Sequence, residues 1–237
     1  GNDTLRGGDG NDTLIGGLGM DSLYGDAGSN TLHGRGDAAT DGLIGGAGAD
    51  TYLFGRGSGL DWVQDVGPSA AVDVVRFDAG IAPPDVTVGS DGYRFDLSIA
   101  GTTDVLRLQL AAERADARIE RLEFADGTVW DDTMLRSRYF AGAMTNLSDS
   151  ISGWDVSDDD IDGGLGDDTL FGYGGNDTLR NGEVMYGGTG NDTYVLPQWS
   201  SHITVYESPE VGVHTDAIVL PASVAPATFN MVWANDD

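Results

Sequence analysis

Gly7-Gly-Asp-Gly-Asn-Asp12-Thr-Leu14-Ile15 runs directly into Gly16-Gly-Leu-Gly-Met-Asp21-Ser-Leu23-Tyr24, and that into Gly25-Asp-Ala-Gly-Ser-Asn30-Thr-Leu32-His33. The three stretches align with a period of nine, holding an acid or its amide at the sixth place and an apolar residue at the eighth. A partial copy, Gly1-Asn-Asp3-Thr-Leu5-Arg6, precedes them. An eleven-residue copy, Gly34 to Ile44 with Asp41 and Leu43 in register, follows, and then Gly45-Gly-Ala-Gly-Ala-Asp50-Thr-Tyr52-Leu53. Glycine permits positive φ and close backbone approach, so each copy divides into a six-residue turn and a strand of about three residues.

The pattern returns from residue 142. It is first degenerate (Asp149 with Ile151, Asp159 with Ile161), then clean over Gly163–Phe171 and Gly172–Arg180. A shortened copy with Glu183, from Asn181 to Tyr186, leads to a clean last one, Gly187 to Val195, with Asp192 and Tyr194. Between the arrays glycine thins, and Asp73–Phe77, Tyr93–Ile99, Val105–Leu110 and Ile119–Phe124 read as strands. Asp126-Gly127 supplies a hairpin turn, and Asp131 caps a helix expected over Asp132–Phe140. A longer repeat contains the short ones: Asp50-Thr-Tyr52 recurs as Asp192-Thr-Tyr194, Asp61–Asp65 as Ile203–Glu207 and Ile81–Pro83 as Val224–Pro226. The expected divisions are residues 1–54 and 142–196 as arrays, 55–141 as an intervening β-rich module that caps or extends the roll, and 197–237 as the start of a second one.

Thirty-nine acidic residues face 12 basic ones, all Arg, for a net charge of −27. That balance disfavours nucleic acid as a partner and opposes compaction unless cations neutralise it. The 37 glycines come with only 7 prolines in a chain that is 40% hydrophobic, which fits neither collagen nor a disordered segment. With no cysteine and three isolated histidines, thiolate chemistry is absent and a zinc site lacks its preferred ligands. No His-Glu-x-x-His or Gly-x-Ser-x-Gly motif occurs, so no active site is expected in this segment. No apolar run reaches the length of a membrane span, and the opening inside a repeat reads as an excised fragment.

Carboxylates and inward-turned carbonyls are hard oxygen donors, and calcium takes about six to eight of them. The repeats resemble the repeats-in-toxin family, secreted bacterial proteins in which such nonapeptides wind into a calcium-bound parallel β-roll. The resemblance implies an all-β fold of two parallel β-roll arrays flanking the intervening module. It implies calcium between turn n and turn n+2, pairing Asp3 with Asp21, Asp12 with Asn30, Asp21 with Asp41, Asp168 with Glu183, and Asp177 with both Asp159 and Asp192. Asp50 and Asp149 join as further carboxylate ligands. Turn carbonyls complete the set, at Gly7, Asp9, Gly16, Leu18, Gly45, Gly163, Leu165, Gly172, Gly174 and Gly187. About six to eight ions are expected in total.

Family members leave the cell by a type I route, and whole proteins include toxins, proteases, lipases and adhesins. Ile119 to Trp130 resembles the module that accompanies these repeats. One apolar side chain per nine residues buries too little to offset backbone entropy, so folding is expected to be coupled to calcium. Arg35-Gly36-Asp37 spells an integrin-recognition tripeptide, which composition explains more simply than a host-cell ligand. Asp158–Gly163 echoes an EF-hand loop, but Thr169 replaces the closing glutamate and no amphipathic helices flank it. Oligomeric state is not legible.

Overall fold

The computed structural model describes residues 1–65, 71–90, 94–109, 119–154, 157–198, 202–207 and 215–223. Tyr93, Leu110, His214 and the Val224–Pro226 copy of the longer repeat lie outside them. The chain forms two compact units, Gly1–Gly142 and Ala143–Asp237.

In the first unit, successive strands alternate between two sheets, so each coil consumes two nonapeptides. One sheet collects β1 (Thr4–Asp9), β3 (Ser22–Ala27), β5 (Gly42–Ala47) and β7 (Leu60–Gln64); the other collects β2 (Thr13–Ile15), β4 (Thr31–His33), β6 (Thr51–Phe54) and β8 (Val74–Phe77). All of these neighbours pair in parallel. Strands of the first sheet are longer than the three residues expected, because the turn backbones of stacked coils also pair, Gly8 with Asp26 and Asp9 with Ala27.

Eighth-place side chains stack between the sheets. Leu23 aligns with Leu43 and then Val63, and Leu32 with Tyr52 and then Val75, all fully buried. Val63 and Val75 belong to the intervening module, so β7 and β8 continue the roll beyond the nonapeptides, β7 after a last glycine turn with Gly57 and Gly59 at φ 87° and 82°. Beyond them β9 (Val86–Ser90), β10 (Arg94–Ile99) and β11 (Val105–Gln109) extend the first sheet, with antiparallel pairing at β9–β10 and β10–β11. β12 (Arg121–Glu123) continues the second sheet in parallel, and β13 (Val129–Trp130) folds back on it through the Asp126-Gly127 turn. Gly127 has φ 88° there, a conformation glycine adopts freely.

Aromatic rings fill this end: Phe77 stacks on Phe124 at 4.8 Å and meets Phe54 edge-on at 6.3 Å, while Phe124 meets Trp130 at 4.8 Å. Helix α1 (Asp132–Ala143) follows, longer than expected, with the Asp131 carboxylate accepting the Met134 N–H at 2.9 Å.

The second unit repeats the roll. β14 (Ser150–Ser152), β16 (Thr169–Gly174), β18 (Val184–Thr189) and β20 (Thr204–Tyr206) form one parallel sheet; β15 (Asp160–Asp162), β17 (Thr178–Arg180), β19 (Thr193–Val195) and β21 (Ala217–Val219) form the other. Ile151, Leu170 and Met185 stack in one column, and Ile161, Leu179 and Tyr194 in the second. The EF-hand-like stretch is an ordinary coil of this roll, since Asp160–Asp162 pairs in parallel with Thr178–Arg180.

The aromatic end of the first unit is stabilised by burial rather than by ions. Phe124→Ala is expected to lower its stability by about 3–5 kcal/mol, the usual cost of emptying a large aromatic site, read as a shift of the urea midpoint in saturating calcium.

Candidate metal centres

A single contact repeats along both rolls. The sixth-place side chain accepts, through one oxygen, the backbone N–H of the sixth-place residue one coil earlier. Asp3 N–H donates to Asp21 at 2.8 Å, Asp21 N–H to Asp41 at 2.8 Å, and Asp41 N–H to Asp61 at 2.9 Å. On the other sheet Asp12 N–H donates to Asn30 at 2.9 Å, Asn30 N–H to Asp50 at 2.7 Å, Asp50 N–H to Asp73 at 2.6 Å, and Asp73 N–H to Glu120 at 2.7 Å. The second unit runs Asp149 to Asp168 (2.8 Å) to Glu183 (2.9 Å), and Asp159 to Asp177 (2.7 Å) to Asp192 (2.8 Å) to Asp216 (3.0 Å). The structure thus stacks every pair that the resemblance implied. The ladder holds across the insertion in Gly34–Ile44 and the shortening at Asn181–Tyr186, because loop length changes while strand register does not.

The second carboxylate oxygen is the chemically informative one. The Oδ2 atoms of Asp12, Asp21, Asp41, Asp50, Asp168 and Asp177 are buried and accept no hydrogen bond. Each points under the first glycine of its own repeat. A Cβ on Gly7 would sit 2.7 Å from Asp12 Oδ2 and 2.7 Å from the Gly25 carbonyl oxygen; on Gly163 it would sit 2.8 Å from Asp168 Oδ2 and 2.7 Å from the Asn181 carbonyl oxygen. At Gly172 the neighbours are Asp177 Oδ2 and the Gly187 carbonyl, at Gly153 they are Asp159 Oδ2 and the Gly172 carbonyl, and at Gly16 Asp21 Oδ2 leads. A buried anionic oxygen without a donor costs several kcal/mol, whereas a carboxylate facing a carbonyl of the adjacent coil suits a hard cation. The residues present fit calcium.

Turn backbone presents these carbonyls. Gly8 and Gly10 have φ of 90° and 119°, and at the second place Asp26 (67°) and Tyr173 (74°) tolerate the same conformation. The Leu18 and Leu165 side chains project into solvent, leaving only their backbones to the turn. Gly45 sits over Asp50 and the Tyr52 hydroxyl, and Gly187 over Asp192 and Tyr194; Gly174 and exposed Asp9 lie at strand ends in ladder register with Thr189 and Ala27.

Three positions differ from the clean turns. Asn30 directs its amide nitrogen, which donates to the Gly28 carbonyl, into the space where its neighbours place Oδ2. Asp159 Oδ2 accepts the Trp154 N–H at 2.8 Å, and Asp149 accepts Thr145 N–H at 2.7 Å and its hydroxyl. In those two degenerate turns protein donors serve the carboxylate. The Asp37 carboxylate of the Arg-Gly-Asp stretch is also engaged, accepting Gly19 N–H at 2.6 Å and Ala39 N–H at 3.0 Å.

Residues passed over in the sequence reading extend the ladder past the glycine turns: Asp61, Asp73, Glu120 and Asp216. The signal was an acid two places before a buried apolar residue (Asp73 before Val75, Glu120 before Leu122), the register of a repeat stripped of its glycines.

The comparisons with known proteins agree with this geometry. The profile of the RTX calcium-binding nonapeptide repeat (4 copies) matches residues 1–32, 16–52 and 155–194. The two arrays are RTX calcium-binding nonapeptide repeats. The haemolysin-type calcium binding protein related domain matches residues 97–134, inside the intervening module. RTX repeats are typically non-catalytic modules, characteristic of secreted or extracellular bacterial proteins. Among solved structures, the chain is similar to an extracellular lipase, LipA, from Serratia marcescens, at 16% identity and a TM-score of 0.34, over 97% of this chain and 39% of the lipase. The chain therefore spans about two-fifths of that protein's length. No curated protein matches it. Among the described residues, no helix is long and apolar enough to cross a membrane.

Burial pushes the carboxyls of Asp177 and Asp73 up to about 7, and that of Asp61 up to about 8, with repulsion from stacked acids adding to it and one amide hydrogen bond opposing it. Asp41, Asp50 and Asp168 are raised for the same leading reason. A raised folded-state value means that the ion-free roll binds more protons than the unfolded chain between about pH 4 and 8, so its stability falls as pH rises through that window. In chelator, β-structure by circular dichroism is expected to increase on acidification from pH 8 to 5. With calcium present the apparent affinity is expected to weaken below about pH 7, as protons compete for the same oxygens.

Proposed function

We propose that this chain is the calcium-clamped scaffold of a larger secreted bacterial protein, unfolded where calcium is scarce and folding on calcium after type I export. The observation that carries this reading is the set of buried carboxylate oxygens left without donors, those of Asp12, Asp168 and Asp177 opposite a carbonyl of the neighbouring coil. Ion-free, stacked acids repel at about 5 Å, the strand spacing; calcium turns that repulsion into cross-links between coils, so binding free energy becomes folding free energy. The ligands proposed are the sixth-place acids and first-glycine carbonyls set out above, holding about six to eight ions.

The role of the whole protein has two readings. Recurrence of an entire array-and-module unit after about 142 residues builds length, which favours the repeat region of a surface adhesin or large toxin. The alternative is the non-catalytic C-terminal part of a secreted hydrolase.

Far-ultraviolet circular dichroism through a calcium titration tests the coupled folding: a coil-like spectrum in chelator should become β-rich, and a spectrum already β-rich and insensitive to calcium would overturn it. Asp168→Ala and Asp177→Ala should each lower the number of bound ions measured by equilibrium dialysis. Asn30→Asp, which supplies the missing anionic oxygen beneath Gly25, should raise it or tighten the ion held there.

A further inference from the structure

The last coil of the first roll gathers acids that the nonapeptide pattern does not contain. Asp50, Asp65 and Asp73 are all buried and bring a carboxylate oxygen each within 4.8 Å of one another. Asp50 is the sixth-place acid of the final nonapeptide, and Asp73 is the next rung of its ladder. Asp65 arrives differently. Gln64 pairs with Ile44, so Asp65 occupies, one coil on, the place of Gly45. One coil earlier, the space beneath Gly25 is lined by the Gly45 carbonyl; at the end of the array a side-chain carboxylate stands where the next glycine belongs.

Two further observations point to a ligand. Asp50 Oδ2 and the Tyr52 hydroxyl are buried without hydrogen-bond partners, on residues with 0% exposure. Both crowd the same position beneath Gly45, where any Cβ would collide with them.

We propose that Asp50, Asp65 and Asp73, with the Tyr52 hydroxyl, form a calcium site that closes the first roll and differs in kind from the turn sites. One oxygen from each carboxylate and the phenol supply part of the about six to eight that calcium takes, and three acids around one divalent ion give a site richer in charge than one sixth-place acid with turn carbonyls. Asp65 and Asp73 lie outside the residues matched by either family profile. The arrangement recurs in the second unit: Asp192, Glu207 and Asp216 cluster within the same limit, Tyr186 pairs with Tyr206 so that Glu207 takes the place of Gly187, and the Tyr194 hydroxyl donates to Glu207. Glu207 and Asp216 are exposed there, so that copy is the weaker site.

The proposal rests on the calcium reading for the identity of the ion. Crystals of the whole chain grown in calcium chloride, with anomalous data collected at long wavelength, test it directly. A peak is expected among Asp50, Asp65 and Asp73, within about 2.6 Å of their oxygens. Peaks in the nonapeptide turns with none at this cluster would overturn the proposal and leave the turn sites standing; no peak anywhere would overturn both. Asp65→Asn is expected to bind one ion fewer than the parent by equilibrium dialysis, and an unchanged count would overturn the proposal. Should that variant not fold, the map of the parent chain still decides.

Discussion

The whole architecture depends on one carboxylate doing two things. One oxygen of each sixth-place acid accepts a backbone N–H from the coil before, which fixes the register of the stack. In Asp12, Asp21, Asp41, Asp50, Asp168 and Asp177 the other is turned beneath the first glycine of the same repeat, without a hydrogen-bond donor. A hydrogen bond of this kind contributes about 1.5–3 kcal/mol to stability, but it buries a charge whose second oxygen needs a partner. The fold is therefore self-consistent only with cations in the stack, or with protons in their place, which is why burial raises Asp73 and Asp177 to about 7.

Glycine at the first place follows from the same contact. The space a Cβ would need is taken by the repeat's own sixth-place side chain, joined by a carbonyl of the next coil at Gly7, Gly25, Gly163 and Gly172, so the residue is small because the ligand atoms converge there. The second place varies from coil to coil: a Cβ at Gly8 or Gly17 would meet nothing and Asp26 and Tyr173 occupy it at the cost of a positive φ, whereas at Gly46 and Gly188 it would collide with the Asp26 and Tyr173 carbonyls.

Period and strand placement were legible in the sequence because they follow from a fixed spacing of chemically distinct residues, whereas the pairing of acids across coils came from the family resemblance. The capped helix after Asp131 and the Asp126-Gly127 hairpin were legible for the same local reasons. The continuation of the ladder through Asp61, Asp73 and Glu120 was not, since a nine-residue spacing had been the visible mark of a coil and none of these acids keeps it. Nor was the fate of Asp149 and Asp159 visible: that Thr145 and Trp154 supply donors to them depends on how a degenerate turn packs, which no spacing rule encodes.

The two ladders of the first unit end differently, and the difference marks where ion-dependent stability gives way to burial. On one sheet Leu106 aligns with Asp61, so an apolar side chain takes the next rung and the acid beneath it is desolvated, its carboxyl pushed up to about 8. On the other, Glu120 adds a last rung before β13 turns back, and the column from Phe54 through Phe77 and Phe124 to Trp130 begins. Each of those rings gains about 1.5–3 kcal/mol from leaving water, at least as much as the one leucine of a nonapeptide, and several of them meet in a single cluster. The intervening module thus holds the apolar burial that the glycine turns lack. Its strands pair in parallel with both sheets of the roll, so the apolar column runs on into the aromatic cluster rather than ending at the last nonapeptide.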